Sequence, residues 1–372
     1  MVLKTFGASF AVTAVALAGA LVFGGPQAFA LVAILCVLEI SLSFDNAVVN
    51  AKIIERMNAF WQKIFLTIGI VIAVFGMRLL FPLLIVGLTA DLNPLDAIDL
   101  ARQGGPIEEE GTYAYLLHAA HPDIAAFGGM FLFLLFLDFI FDPDREITWL
   151  SWLEKPLMRI GKLDQLSVVV ALIALVAAGR AFAEDEAAVL FSGVLGVVSY
   201  LLVGGLGELF EGEGDEEDSD EGAAPARGGP NKVQQVAGKA AFFLFLYLEV
   251  LDASFSFDGV IGAFAITQNI FIIAVGLGVG AMYIRSLTVY LVRRGTLGDY
   301  VYLEHGAMWA IGALAAILLV SIKHEVPEVV TGLIGVGFIG LAFLSSLAHN
   351  KRHGGPASTR PEPEPEPVKS VT

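Results

Sequence analysis

Two acidic phrases of similar sequence lie inside long apolar stretches of the chain. The first, LEISLSFDNAVV, carries Glu39, Asp45 and Asn46, and the second, LDASFSFDGVIG, carries Asp252 and Asp258. Their carboxylate and amide oxygens are the type of ligand that hard cations such as Mn²⁺, Ca²⁺ and Mg²⁺ prefer over softer sulfur or nitrogen sites. These five residues are therefore the candidate metal ligands.

The two phrases belong to a longer internal repeat. They align without gaps, so that Glu39 corresponds to Asp252 and Asp45 to Asp258. Each phrase is followed, in the next apolar span, by a lone arginine. A match over two consecutive spans predicts duplicated units whose polar groups act together. The supporting residues of this candidate site are Ser43, Ser256, Glu249, Arg78 and Arg285.

The charges inside the apolar spans favour a positively charged ligand. Six acids face only two arginines, and a charge at the bilayer centre costs about 2.5–3.5 kcal/mol. Some three or four carboxylates must then be protonated or bind a cation, and a site that exchanges protons for a metal ion satisfies both states. A structural alternative is that Asp45 and Asp258 form salt bridges with the two arginines. The six acids are Glu39, Asp45, Asp138, Glu249, Asp252 and Asp258.

These residues must be positioned by membrane-spanning helices. The chain has 372 residues, of which 56% are hydrophobic, and about twenty apolar residues suffice to cross a bilayer as a helix. The sequence predicts an all-α, polytopic membrane bundle of about ten spans. The predicted spans are 5–23, 28–50, 64–88, 124–141, 166–183, 187–206, 238–266, 270–292, 306–322 and 329–348. The first span also resembles a cleavable signal peptide ending at Ala30.

Loop charges predict the orientation and the domain organisation. Lysine and arginine alternate between loops in a way that places both termini in the cytoplasm, in a cell (inner or plasma) membrane. The repeats begin five spans apart and are therefore inverted, as in many secondary transporters. The predicted units are an N-terminal membrane half at 1–206, an acidic disordered cytoplasmic loop at 207–237, a C-terminal membrane half at 238–349 and a disordered Pro/Glu-rich tail at 350–372.

Three local features refine these expectations. Asn46 and its counterpart Gly259 are weak helix formers, and a helix break there would free backbone carbonyls to act as ligands. The segment EITWLSWLEKPLMRI combines aromatic and basic residues and suits an interfacial helix. His305 is expected in a loop or at the interface.

Other functional classes fit the sequence less well. The net charge of −16 argues against nucleic-acid binding, and the single cysteine, Cys36, excludes a cysteine metal cluster. No resident cofactor and no enzymatic activity are expected. An intramembrane aspartyl protease usually shows a Gly-x-Gly-Asp phrase, which neither repeat contains. A carrier for the tellurite anion conflicts with the negative charge count. A membrane scaffold whose acidic loop binds cytoplasmic partners explains the loop but not the duplicated acids.

The phrases LEISLSFDNAVV and FSFDGVIGAFAIT, each with its following arginine-bearing span, resemble the TerC family within the LysE transporter superfamily, and in particular a related branch named as a domain of unknown function. TerC proteins are associated with tellurium resistance and with export of Mn²⁺ or related cations. The resemblance implies a divalent-cation exporter coupled to protons, with Glu39, Asp45, Asn46, Asp252 and Asp258 at the metal site. The acidic insertion departs from the usual TerC pattern.

Overall fold

The computed structural model of the chain describes residues 2–163, 165–217, 236–294, 299–324 and 326–352. Within these ranges the only extended pairing is one isolated parallel bridge between Met57 and Val236. The prediction of an all-α bundle is confirmed. The helices are α1 Val2–Leu42, α2 Phe44–Glu55, α3 Ala59–Val71, a π-helical segment Ile72–Leu80, α4 Phe81–Thr89, α5 Pro94–Gln103, α6 Tyr113–Ala119, α7 His121–Phe141, α8 Ser151–Ile160, α9 Leu166–Phe182, α10 Glu186–Glu217, α11 Gly238–Ile266, α12 Ile270–Arg294, α13 Leu303–Ser321 and α14 Glu328–Arg352.

Seven helical segments of the described chain are long and apolar enough to cross a membrane, against the ten spans predicted. The difference has three sources. The first predicted span and most of the second lie within the single apolar stretch Thr5–Ile40. Helix α9 has 17 residues and is shorter than the others. Helix α11 has 29 residues, carries Glu249, Asp252 and Asp258, and is not among the seven.

Helix α1 reverses direction near its middle. Gly25 has φ 73° and ψ −171°, outside the helical region, and Pro26 follows it. Glycine adopts positive φ without the steric cost of a Cβ atom, and proline is well suited to begin the next helix.

Contacts with α12 show the two directions of α1. Before the turn, α1 residues of lower number contact α12 residues of higher number. After the turn, the residue numbers of the contacting pairs increase together in both helices. The segments before and after Gly25 are therefore antiparallel, which agrees with separate predicted spans at 5–23 and 28–50. The pairs are Thr13–Tyr283 and Phe6–Tyr290 before the turn, and Leu35–Gly276 and Glu39–Gly280 after it.

Helix α7 lies at the centre of the larger apolar core. Ala126, Met130 and Phe131 have no exposed surface. Glycines let its neighbours approach closely: Gly196 of α10 lies against the backbone of Phe127. Because Ser254 of α11 packs on the same helix at Gly128, this core also supports the second acidic phrase.

The acidic segment is described only in part. Helix α10 continues to Glu217, so helical structure extends into the predicted loop at 207–237. Residues 218–235 and the tail from 353 onward lie outside the described chain. Val236, directly after the gap, is held by backbone hydrogen bonds with Arg56 and Asn58. The segment therefore rejoins the bundle beside the α2–α3 turn.

Candidate functional site

The first acidic phrase forms a buried ion pair within its own repeat. Glu39 and Arg78 are 2% and 3% exposed, and Arg78 Nη2 donates to Glu39 Oε1. Ser43 Oγ donates a second hydrogen bond to the same oxygen at 3.0 Å. Arg78 lies in the π-helical segment and also donates to the carbonyl of Ala73, five residues earlier. Short π-helical segments are frequent at functional sites.

The second acidic phrase repeats this pairing with an additional acid. Arg285 Nη2 lies 3.3 Å from Asp252 Oδ2 and 3.5 Å from Glu249 Oε1. The Arg285 guanidinium also stacks on the Phe65 ring, 3.7 Å from its centroid, and donates to the Gly69 carbonyl at 3.4 Å. Neither Glu249 oxygen accepts a hydrogen bond from a described residue. Arg285 is therefore shared between two carboxylates.

The two repeats meet at these pairs. Asn46 Nδ2 donates to Asp252 Oδ1 at 2.7 Å, which joins the first phrase to the second. Gly259, the counterpart of Asn46, faces Glu39: a Cβ atom on this glycine would lie 3.5 Å from Glu39 Oε2. In each repeat, the residue seven positions after the first acid therefore lies beside the first acid of the other repeat.

Glycines allow each acidic helix to pack closely on the arginine helix of the other repeat. A Cβ atom on Gly280 would lie 2.5 Å from Glu39 Cβ and 3.0 Å from the Cys36 carbonyl oxygen. A Cβ atom on Gly69 would lie 2.9 Å from Glu249 Oε1. Each repeat thus supplies its own counter-ion and a close-packed surface for its partner.

Most of the predicted site residues are brought together. Glu39 lies in one cluster with the supporting residues Ser43 and Arg78, and Asn46 and Asp252 lie in a second, neighbouring cluster with Glu249 and Arg285. Ser256 is buried on α11. The side chains of Asp45 and Asp258 lie outside the described part of the chain, although their backbones belong to α2 and α11.

The helix break lies elsewhere than expected. The first phrase is interrupted at Ser43, which has φ −99° and ψ 16°, three residues before Asn46. Helix α11 runs from Gly238 to Ile266 and passes through Gly259. A glycine inside a helix lowers its stability but does not break it when neighbouring helices pack around it. The predicted break at Asn46 and Gly259 is therefore wrong.

The described network is an ion-paired arrangement. Two guanidinium groups face the three carboxylates of Glu39, Glu249 and Asp252, which leaves one net negative charge if all are ionised. Among the described side chains, no group of three or more His, Cys, Asp or Glu residues is placed to hold a metal ion. A cation binding at these acids must compete with an arginine.

The sequence analysis missed a second buried ion cluster around Glu154 of α8. Glu154 is fully buried and accepts hydrogen bonds from the backbone N–H groups of Trp149 and Leu150, at 3.1 and 3.2 Å, and from Trp309 Nε1 at 3.2 Å. Arg145 Nη2 lies 3.3 Å from its carboxylate. Burial lowers the pKa of the Arg145 guanidinium, and Glu154 opposes this shift.

His305 belongs to this cluster and lies in the first turn of α13, not in a loop. It is 3% exposed, and its Nε2 lies 2.9 Å from the Ile147 carbonyl and 3.7 Å from Glu154 Oε2. The adjacent Glu304 pairs with Lys52 of α2 at 3.2 Å. The segment predicted to form an interfacial helix is helical, as α8, and Glu154 attaches it to α13. A glutamate in a basic, aromatic segment gives little sign of such burial.

Replacing Glu154 with glutamine should loosen α8 from the bundle. The amide keeps the shape but removes the charge that strengthens these hydrogen bonds, each worth about 1.5–3 kcal/mol. We expect unfolding in detergent to require about 1.5–3 kcal/mol less free energy, and trypsin to cleave faster after Arg159 of α8. The exposed Glu146→Gln is the matched control. Equal stability of the two variants would show that Glu154 does not anchor α8.

Comparison with known proteins identifies one family model that matches most of the chain. It carries the description "Protein of unknown function (DUF475)" and matches residues 44–353. The matched range contains Asn46, both arginines and the whole second acidic phrase, and it begins shortly after Glu39. No curated protein and no solved structure matches the chain.

Proposed function

We propose that this chain, which belongs to the DUF475 family of proteins of unknown function, is a membrane transporter that exchanges a divalent cation for protons. The cation is of the Mn²⁺ type and is exported from the cytoplasm across the cell membrane. The resemblance of the acidic phrases to TerC proteins supports this choice of cation and direction. The positive loop charges support a cytoplasmic position for the end of the bundle that carries Lys52 and Arg56, here called the basic end.

One observation carries the proposal: the two inverted phrases meet in a buried network in which carboxylates outnumber arginines. Ionisable groups inside membrane spans are costly and mark ion or proton pathways. The Asn46–Asp252 hydrogen bond at 2.7 Å joins the halves. A purely structural network would need only one acid for each arginine, but Arg285 faces both Glu249 and Asp252.

Each residue of the network then has a defined role. Glu39 and Asp252, with Asp45 and Asp258 nearby in sequence, bind the cation or protons. Arg78 and Arg285 neutralise two of the acids when no cation is bound, and the remaining acids are then protonated.

When the cation binds, it displaces the arginines from the carboxylates, or it binds after these carboxylates have lost their protons. Asn46 and Ser43 supply neutral oxygen atoms. Oxygen ligands suit Mn²⁺, Mg²⁺ and Ca²⁺, and the two halves rearrange around the site, as inverted repeats do in other transporters.

Flux through proteoliposomes tests the proposal. The wild-type protein should carry Mn²⁺ into vesicles in exchange for protons, followed by a metal-sensitive dye and a pH-sensitive dye inside. Asp252→Asn should lower the initial rate at least tenfold, because it removes a charged partner worth about 1.5–3 kcal/mol and 1.4 kcal/mol corresponds to a factor of ten. Asp45→Asn and Asp258→Asn should also reduce the flux.

The matched control is Asp138→Asn, the same exchange in α7, where the carboxylate is exposed and bonded to Tyr200. It should leave the flux unchanged. Normal flux in Asp252→Asn would disprove the mechanism. If the wild-type protein carries no cation and metal tolerance of cells depends on Glu211–Glu221, the protein is a scaffold that acts through its acidic segment.

A further inference from the structure

The most unusual polar group outside the central network is Asn50 of α2. Asn50 is 1% exposed. Neither its amide nitrogen nor its amide oxygen has a hydrogen-bond partner among the described residues. A buried amide without a partner is destabilising, since it has lost its hydrogen bonds to water. An apolar side chain of similar size would suit a purely structural position better.

Helix geometry places Asn50 on the face of α2 that serves the central site. At 100° per residue, Ser43, Asn46 and Asn50 fall within about 60° of one another. Ser43 bonds Glu39 and Asn46 bonds Asp252, so this face is directed at both acids. Asn50 lies one turn, about 6 Å along the axis, beyond Asn46.

The helical turn from Asn46 to Asn50 runs from the central acids toward the basic end. Lys52, two residues after Asn50, pairs with Glu304 there, and Arg56 follows at the end of α2. Ser43, Asn46 and Asn50 thus form a polar stripe that runs from Glu39 to this end of the bundle. The amide is therefore between the candidate site and the side of the membrane assigned to the cytoplasm.

The repeat lacks this amide in its other half. In the alignment of the two phrases, Asn46 corresponds to Gly259 and Asn50 to Ala263. Ala263 is buried in an apolar cluster with Tyr113 and Phe264. Because the repeats are inverted, the position corresponding to Asn50 lies toward the opposite face. An amide one helical turn from the central site is therefore present on one side of that site only.

We infer that Asn50 is a second coordination position, at which a divalent cation on its way between the basic end and the central carboxylates is held by an amide oxygen and its own water molecules. This inference rests on the proposed function and adds a specific pathway residue to it. A neutral amide holds such an ion weakly. It compensates part of the hydration that the ion loses without trapping it, as conduction through several weak sites requires.

Asn50→Leu separates this role from a structural one. Leucine removes the unpartnered amide at similar volume, so the variant should unfold at the same or a higher temperature in detergent. Its rate of Mn²⁺ uptake into proteoliposomes should nevertheless fall at least tenfold. The matched control is Asn350→Leu, at a buried amide at the end of α14 that donates to the Asp299 carbonyl. It should lower stability and leave uptake unchanged.

Asn50→Asp provides a second measurement that does not depend on the leucine variant. The carboxylate offers a stronger oxygen ligand at the same place, so the apparent KM for Mn²⁺ should fall at least threefold while uptake persists. Loss of uptake in Asn50→Asp, or normal uptake in Asn50→Leu, would overturn the inference. If Asp252→Asn is inactive in the same assay, the proposed function stands; if Asp252→Asn is also fully active, the proposed function fails as well.

Discussion

Replacing Arg78 with methionine should lower the free energy of unfolding by about 3–5 kcal/mol, the usual cost of removing one partner from a buried ion pair. Glu39 is 2% exposed and would be left as an uncompensated charge. Its hydrogen bond from Ser43 cannot replace the guanidinium. Chemical unfolding in mixed micelles would measure the change, and transport should be lost together with stability.

A double variant distinguishes charge from packing at this pair. Arg78→Met combined with Glu39→Gln removes both charges and keeps an acceptor for Ser43, so most of the lost stability should return. Transport should not return, because Glu39 is a proposed ligand. The exposed Arg102→Met in α5 is the control and should change stability little. A double variant as unstable as Arg78→Met would mean that arginine packing, not charge, stabilises the site.

Replacing Gly280 with leucine should abolish transport and cost about 3 kcal/mol of stability, the upper part of the range for overpacking. Even the first added carbon would lie 2.5 Å from Glu39 Cβ and 3.0 Å from the Cys36 carbonyl. Neither neighbour can move freely, because one carries the ion-paired acid and the other is backbone. Helices α1 and α12 must therefore separate at the level of the site.

Gly340→Leu in α14 is the matched control for this substitution. A Cβ atom on Gly340 meets nothing within 4 Å, and leucine is a better helix former than glycine. We expect unchanged transport and slightly higher stability, measured by the same flux and unfolding assays. Normal flux in Gly280→Leu would show that the close approach of α1 and α12 is not required for transport.

The sequence is sufficient to predict the network but not its pairing. Duplicated phrases and arginines in equivalent spans indicate that Glu39, Asp252, Arg78 and Arg285 act together. The structural alternative assigned the arginines to Asp45 and Asp258, whereas the described pairs involve Glu39 and Asp252. Helical periodicity relates residues of one helix, but which acid meets an arginine depends on the rotation of two helices, which their packing sets.

Other features are decided by contacts distant in sequence. Glu154 stands in a segment suited to a membrane surface, and its burial depends on Trp309 and His305 of α13. Asn50 lies among hydrophobic residues and has no pattern that distinguishes it from an ordinary core amide. Its unusual state becomes visible only when every neighbouring polar group has been placed. The reversal at Gly25, by contrast, follows from the Gly-Gly-Pro sequence and the length of the apolar run.

The sequence separation of the ion pairs implies an order for insertion of the chain during its synthesis. Glu39 and Arg78 are 39 residues apart and Asp252 and Arg285 are 33 apart, so each pair closes between consecutive spans. The translocon can therefore release each pair of spans with its opposite charges already matched. The Asn46–Asp252 bond joins residues 206 apart and must wait until the ribosome has made the second repeat. Each arginine thus neutralises its acid early and within one pair of spans, and the two repeats align with each other last.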